Sequence, residues 1–295
     1  MIRHGKRDRF VHLILIAPAL VLLFGFFVVP ALASLFYSLT DQMLVGQKID
    51  EVSFIGFDNY VHLFTDFRVF SAFLNTLTLI LAAICLQQAC GFCIAILLEG
   101  KNALFRKMVH ACVYSGWLMP EVVTAFIFFL LFSIDGSFNR IIAFFGGQSV
   151  AWLIDRPLAV IILAQLWSGT AFSLISYEQA LSSMSGDVLD AARTDGATGS
   201  QILFFIILPS IRHTIRSNTT ILTLNNLGVF GLIYMLTGGG PLFRSTNLPV
   251  LVFRNAISGS ATGYGLTLTF VLFCLSMLFS LFNVRIIHAR DGDET

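Results

Sequence analysis

Six long apolar segments constrain the fold of this chain more than any other feature of its sequence. Each is long enough to cross a bilayer, which takes about 20 predominantly apolar residues. A segment inside hydrocarbon must satisfy its backbone hydrogen bonds internally, and a helix does so. The sequence therefore predicts an all-α, polytopic membrane protein with six transmembrane helices. Their approximate ranges are 12–39, 72–98, 108–132, 157–181, 216–237 and 264–288.

The composition supports this class of protein. Of the 295 residues, 56% are hydrophobic and 12% are charged, whereas a soluble domain carries about 25% charged residues. The net charge of +1 gives no reason to expect nucleic-acid binding. Because no internal repeat or low-complexity tract divides the sequence, we expect a single transmembrane domain over residues 1–295.

The distribution of basic residues predicts the orientation in the membrane. Six spans place both ends of the chain on one side. If that side is the cytoplasm, 12 of the 18 Lys and Arg residues are cytoplasmic, as expected from the positive-inside rule. We therefore predict that both termini and the connection at residues 182–215 are cytoplasmic (N-in, C-in).

The connection at residues 182–215 is polar, unlike the spans that flank it, and it carries helix signals. Ser185 is a candidate N-cap for a short helix whose first turn holds Asp187, where the helix dipole favours an acid. Gly196 suits the left-handed residue that commonly ends a helix. The pattern predicts a short helix that ends in a sharp turn.

A second helix is predicted directly after this turn. Thr198 and Gln201 have the spacing of a capping box, and Pro209 bends or ends the helix that they open. We expect the apolar faces of both helices to pack on the bundle and the charges to face water or a partner protein. A solvated amphipathic segment on the bilayer surface is the alternative. The charged residues are Asp187, Asp190, Arg193 and Asp195.

The same segment carries a recognisable motif. Asp190-Ala191-Ala192 is followed three residues later by Gly196, and Leu208-Pro209 closes the segment. This pattern resembles the signature loop of bacterial ABC importer permeases, which reads Glu-Ala-Ala, three residues, then Gly, and ends in Leu-Pro. More narrowly, the chain is similar to permeases of the maltose and glycerol-phosphate type of carbohydrate importer, and to the first of their two permeases. The similarity includes Phe57-Asp58-Asn59-Tyr60, Asn75-Thr76, Met119-Pro120 and the Thr237–Pro241 glycine loop.

Three residues depart from the pattern of that family. Asp190 replaces the usual Glu, which keeps the charge and shortens its reach by one methylene. Ser185 replaces a common Pro, and His213 stands where a Pro often follows Leu-Pro. The shorter side chain of Asp190 changes the geometry of the contact that the family makes with its Glu.

The resemblance implies a non-catalytic permease subunit in the bacterial inner membrane. Its implied partners are a second permease in a heterodimer, an ABC ATPase dimer and an extracytoplasmic substrate-binding protein. This chain would bind no cofactor, and ATP and Mg²⁺ would lie on the ATPase; accordingly, the sequence has no Gly-x4-Gly-Lys-Ser/Thr loop. The cytoplasmic loop would contain a coupling helix, and the implied ATPase contacts are Asp187, Asp190, Ala191, Ala192, Arg193, Asp195, Gly196 and Ala197.

Polar side chains inside the spans are candidates for lining a substrate path. Polar groups at membrane depth commonly face a cavity or a neighbouring helix, and neutral polar groups with aromatic platforms suit sugars. Helix–helix hydrogen bonding is the alternative explanation. The candidates are Glu121, Gln165, Trp167, Asn218, Thr223, Asn225 and Asn226.

Two other classes of function remain open at this stage. An ion-gradient-driven secondary transporter of small polar solutes would need buried carboxylates or histidine relays, and the spans offer chiefly Glu121. An intramembrane enzyme is disfavoured, because no nucleophile and base or paired acids share one depth. No cluster of His, Cys or carboxylates has metal-ligand spacing, so we predict neither a catalytic nor a metal site.

Overall fold

The computed structural model describes residues 6–45, 52–259 and 261–291, with side chains between residues 15 and 281 of these ranges. Arg3 and Lys48, which enter the charge count above, lie outside them. The helices are α1 Lys6–Leu23, α2 Val29–Ser38, α3 Asp58–Thr65, α4 Phe67–Leu98, α5 Ala103–Leu118, α6 Glu121–Phe132, α7 Ser137–Phe144, α8 Trp152–Asp155, α9 Pro157–Ser182, α10 Gly186–Thr194, α11 Gly199–Ile202, α12 Leu208–Ser210, α13 Arg212–Leu227, α14 Gly231–Thr237, α15 Leu248–Phe253 and α16 Thr262–Asp291.

The described residues confirm an all-α chain with five membrane-length apolar helices, or six if a bent pair counts as one span. The bent pair is α13 and α14, whose axes meet at 47° across a short break. The five helices are Leu15–Ser38, Phe67–Leu98, Glu121–Phe144, Pro157–Ser182 and Thr262–Leu281.

The third predicted span, 108–132, is wrong as a single helix. α5 ends at Leu118, and Met119 takes an extended conformation with ψ of 134° before α6 begins at Glu121. The cause is Pro120, because a proline disfavours helical geometry in the residue before it. Glu121 consequently lies in the first turn of a helix and not within a continuous one.

Two compact units can be distinguished in the described chain, and each is described by itself. The first takes in α1–α3 and the chain from Leu251 to Cys274. In it, the amide of Asn59 donates to the carbonyls of Ser38 (2.8 Å) and Thr40 (2.9 Å) just where α2 ends. Asn59 therefore bonds the carbonyl of Ser38, which the C-terminus of α2 leaves without a helical partner, and that of Thr40 just beyond the helix.

The second unit takes in Phe67–Val250 and the chain from Leu275 onward. α9 lies at its centre and packs against α4. The two helices approach closely at Gly91 of α4. A Cβ on Gly91 would lie 2.8 Å from the backbone nitrogen of Leu174, so only a residue without a side chain allows this approach. A separate buried core nearer the start of α9 includes Val160, Ile161 and Ala164, each fully buried.

Side chains of α4 also fix the segment that follows α14. Asn75 donates to the carbonyls of Phe243 (3.1 Å) and Thr246 (2.9 Å), and the hydroxyl of Thr76 accepts from the backbone of Leu248 (2.9 Å). The glycine-rich stretch before this segment turns at Gly238 and Gly239, whose φ values are +61° and +80°. The segment is therefore held by buried hydrogen bonds, although it contains little regular structure.

Candidate functional site

The elbow, which we define as residues 185–202, consists of α10, a turn and α11. Gly196 has φ of +81°, a left-handed conformation that glycine adopts at little cost. The N–H of Gly196 donates to Arg193 O (3.1 Å) and that of Ala197 to Ala192 O (3.0 Å). These two bonds form a Schellman motif, which ends α10 as the position of Gly196 predicts.

A complete capping box then opens α11, which confirms that prediction. The hydroxyl of Thr198 accepts from the backbone N–H of Gln201, and the side chain of Gln201 accepts from the N–H of Thr198 at 2.7 Å. Ser185 occupies the N-cap position of α10, but its side chain makes no capping bond, so the predicted cap is wrong. A π-helical turn, Leu203–Ile207, precedes Pro209, and the helix ends one residue later.

One face of the elbow packs on the bundle and the other is exposed. Leu189, Ala192 and Ala197 contact a buried cluster that we call the elbow core. The elbow core joins α4, α9, α11 and the chain directly after the elbow through Ala95, Leu98, Leu174, Tyr177, Ile202, Ile207 and Ile211. The elbow is thereby packed against helices of the bundle, in an interior that is close-packed and resists compression.

The exposed face carries the remaining elbow residues that the motif indicates. Asp187, Ala191, Asp195 and Gly196 are exposed, and Asp190 and Arg193 are paired with each other at 2.9 Å with both side chains mostly exposed. An exposed pair of this kind contributes at most about 1 kcal/mol. Asp190 can therefore exchange this partner for another at little cost.

Glu178, near the end of α9 that leads into the elbow, forms a partly buried charged cluster with α5. Its carboxylate lies 2.9 Å from Nε2 of His110 and 3.5 Å from the guanidinium of Arg106. The ring of His110 stacks on that of Tyr114, with centroids 5.2 Å apart. This cluster fastens α5 to α9, and the sequence alone gave no sign of it beyond an acid near a span end.

A cavity of about 210 Å³ lies between α4, α5, α6, α9, α13 and α14. Its polar lining is mostly neutral, with Glu121 as its acid, and aromatic rings from Trp117 and Phe172 border it. Of the sequence-based candidates, it brings together Glu121, Gln165, Asn225 and Asn226.

The other three candidates lie outside this lining. Trp167 packs against Phe128, with ring centroids 6.0 Å apart. Thr223 is buried and donates to the carbonyl of Thr219, one turn earlier. Asn218 donates to the hydroxyl of Ser173 at 3.0 Å and borders a separate cavity of about 200 Å³. The Asn218–Ser173 bond is of the helix–helix kind that the sequence left open as the alternative. The bond of Thr223 lies within α13, and the contact of Trp167 is between aromatic rings.

Sequence reasoning missed Gln87, although it lies in mid-span of α4 and lines the cavity. It is 1% exposed, donates to Gln165 O at 2.7 Å, and accepts from Asn226 at 3.3 Å. A Cβ on Gly169 would occupy the place of the Gln87 amide. A glutamine inside an apolar span is costly without partners, which is the signal that points to it. Thr124, another missed residue, has a buried hydroxyl without a partner among the described residues and also lines the cavity.

No group of three or more His, Cys, Asp or Glu residues within the described part of the chain has the arrangement of a metal site. A membrane bundle with an elbow packed onto its helices and a polar cavity between them suits a transport protein of the membrane. The sequence profile of the family described as the binding-protein-dependent transport system inner membrane component matches residues 91–289. The chain belongs to this family.

Individual relatives match most of the chain. The sulfoquinovosyl glycerol transport system permease protein of Agrobacterium fabrum is 28% identical over 288 residues, 96% of this chain and 92% of that protein. The trehalose/maltose transport system permease protein of Thermococcus litoralis is 25% identical over 277 residues, 92% of each chain. A probable ABC transporter permease protein of Sinorhizobium fredii is 30% identical over 230 residues, 77% of this chain and 73% of that one.

The fold also matches a chain in the crystal structure of a bacterial alginate ABC transporter in complex with an alginate pentasaccharide-bound periplasmic protein. The TM-score is 0.80, with 23% identity and 96% of both chains covered. The protein is thus a multi-pass, non-catalytic permease subunit of an ABC importer. This class is favoured over the secondary transporter that the sequence left as an alternative.

Proposed function

We propose that this permease carries a sugar or a related carbohydrate across the bacterial inner membrane, driven by an ATPase that docks on the exposed face of the elbow. The whole chain acts as one permease domain, with both termini and the elbow in the cytoplasm. Its partners are a second permease, a pair of ABC ATPases that bind ATP and Mg²⁺, and an extracytoplasmic substrate-binding protein.

The geometry of the elbow is the observation that carries this proposal. α10 is closed at one end by the Schellman motif and followed at once by a capped helix, so its position is fixed on both sides. Its apolar face is packed into the elbow core, while Asp187, Asp190 and Arg193 are exposed. An ATPase that binds this face more tightly in its closed state shifts the conformational equilibrium of the bundle. The size of the shift is the difference in binding free energy between the two ATPase states.

The cavity supports a carbohydrate as the substrate class. Its neutral amides and hydroxyls suit the hydroxyl groups of a sugar, and Trp117 and Phe172 supply apolar faces for the ring. Several relatives are named as permeases for sugars or sugar derivatives. Among the residues that the structure describes, no Lys or Arg lines the cavity, which favours a neutral sugar over a sugar phosphate.

Uptake measurements over a panel of radiolabelled sugars test the proposal. Cells that express the transporter should take up one or a few of the sugars in an ATP-dependent manner, and cells that lack this chain should not. Uptake that continues after ATP depletion, but stops when the ion gradient is collapsed, would contradict the ATP-driven mechanism.

A further inference from the structure

The break between α13 and α14 presents a physical problem for a helix that spans a membrane. Backbone groups at a helix break lose their helical partners, and each unsatisfied group costs several kcal/mol in hydrocarbon. The first N–H groups of α14 are among the groups affected. Phe230 occupies the N-cap position of α14, and its side chain makes no capping bond. The groups at this break therefore need partners from elsewhere in the fold.

Glu121 supplies the missing cap from a different helix. Its Oε2 accepts a hydrogen bond from the backbone N–H of Leu232 at 3.1 Å. The two residues are 111 positions apart, and Leu232 is 2% exposed. Gly231 makes the contact possible, because a Cβ at this position would collide with that same carboxylate oxygen. A carboxylate at the positive end of a helix is also electrostatically favourable.

Asn247 forms a hydrogen bond with a backbone carbonyl on the other side of the break. Its Nδ2 donates to Val229 O at 2.6 Å, while its Oδ1 accepts from the backbone of Val250 at 3.1 Å. Asn247 is 1% exposed. The break is therefore held from two sides, by an acid at the start of α6 and by an amide in the segment after α14. Glu121, Val229 and Leu232 all border the cavity.

We propose that Glu121 is a positioning residue that holds the break between α13 and α14 in shape by capping α14 at the wall of the cavity. It determines where Val229 and Leu232 present their side chains to the substrate path, and Asn247 acts with it. The proposal rests on the proposed function only in treating the cavity as that path. This role differs from the substrate contact that the sequence suggested, because Oε2 of Glu121 already accepts from the backbone N–H of Leu232.

Hydrogen exchange at the Leu232 amide tests the proposal without any substrate. The full-length chain, co-expressed with its partner subunits and reconstituted in lipid nanodiscs, is compared with variants by mass spectrometry. Glu121→Ala should raise the exchange rate of this amide about tenfold or more, because a hydrogen bond to a charged acceptor is lost. Glu121→Gln should stay within about threefold of the wild type, since its carbonyl oxygen still accepts.

A glycine pair provides the matched control. Gly231→Ala should raise exchange at Leu232 by displacing the carboxylate, and it should add nothing once Glu121→Ala is present. Gly228→Ala lies in the same break, where an added Cβ has no atom closer than 3.9 Å, and it should resemble the wild type. If Glu121→Ala fails to assemble, Gly231→Ala and Glu121→Gln still decide the question.

The following outcomes would overturn the proposal. The first is that exchange at the Leu232 amide is unchanged in Glu121→Ala. The second is that this amide exchanges as fast in Glu121→Gln as in Glu121→Ala. The third is that Gly231→Ala still raises the exchange rate when Glu121→Ala is already present. In the sugar panel, Glu121→Ala should lower the rate of uptake without changing the ranking of sugars, and a changed ranking would indicate substrate contact instead. If no sugar is taken up while the exchange pattern holds, the proposed function fails and the role of Glu121 stands.

Discussion

Replacement of Gly196 by alanine should weaken the coupling of ATP hydrolysis to transport through backbone geometry alone. Gly196 has φ of +81°, and an added Cβ would meet no atom within 4 Å. The substitution therefore introduces no collision and removes no side-chain contact. What it changes is the free energy of the left-handed conformation on which the Schellman motif depends.

The size of the effect follows from that conformation. A residue with a Cβ pays roughly 1–2 kcal/mol in the left-handed region, which corresponds to a change of about 5- to 30-fold in the equilibrium constant for forming the turn. If the ATPase binds only the intact turn, its apparent affinity for the permease should fall by up to the same factor. Asn tolerates this region better than Ala does, so Gly196→Asn should lie between Ala and the wild type.

The assay is ATP hydrolysis by the reconstituted transporter, titrated with its ATPase subunit. Gly199→Ala is the matched control, because Gly199 lies three residues away in equally open space and without a positive φ. We expect Gly199→Ala to behave as the wild type. The reasoning is refuted if Gly196→Ala binds the ATPase normally, if both alanine variants are equally impaired, or if Asn is no better than Ala.

Three further substitutions test other parts of the structure. Asp190→Lys should change stability by less than about 1 kcal/mol, because the pair with Arg193 is exposed, and yet abolish co-purification of the ATPase; normal co-purification would contradict a role for the acid in docking. Glu178→Ala should lower the thermal unfolding temperature by removing the partner of Arg106 and His110 on α5, and an unchanged temperature would show that the cluster does not fasten α5. Gly169→Ala should displace the amide of Gln87 and cost about 1–3 kcal/mol for the unpaired group, measured by denaturation in detergent, and a neutral result would mean that Gln87 relocates freely.

The elbow was predictable from sequence in most of its detail because its determinants are local. Gly196 and the Thr198–Gln201 capping box act within a few residues of chain, and both occur where the pattern places them. Ser185 shows the limit of this reasoning, since it occupies the N-cap position without making the bond. The break at Pro120 was also encoded locally, although the apolar run around it concealed the signal.

The lining of the cavity was predictable only in part. Asn225 and Asn226 border the cavity, whereas Thr223 does not. A helical pattern shows which residues share a face, but it does not show what that face meets. Gln87 was missed because its partners, Gln165 and Asn226, come from distant helices.

The sequence by itself determined the class of structure, because spans of apolar residues, caps and turns depend on energies that act over a few neighbouring residues. It also determined the shape of the elbow and the charges that the elbow exposes. Only the tertiary structure decided that Glu121 caps α14 and that Asn247 bonds the carbonyl of Val229. Such pairings depend on how helices far apart in the chain pack together, and on glycines that leave room for them.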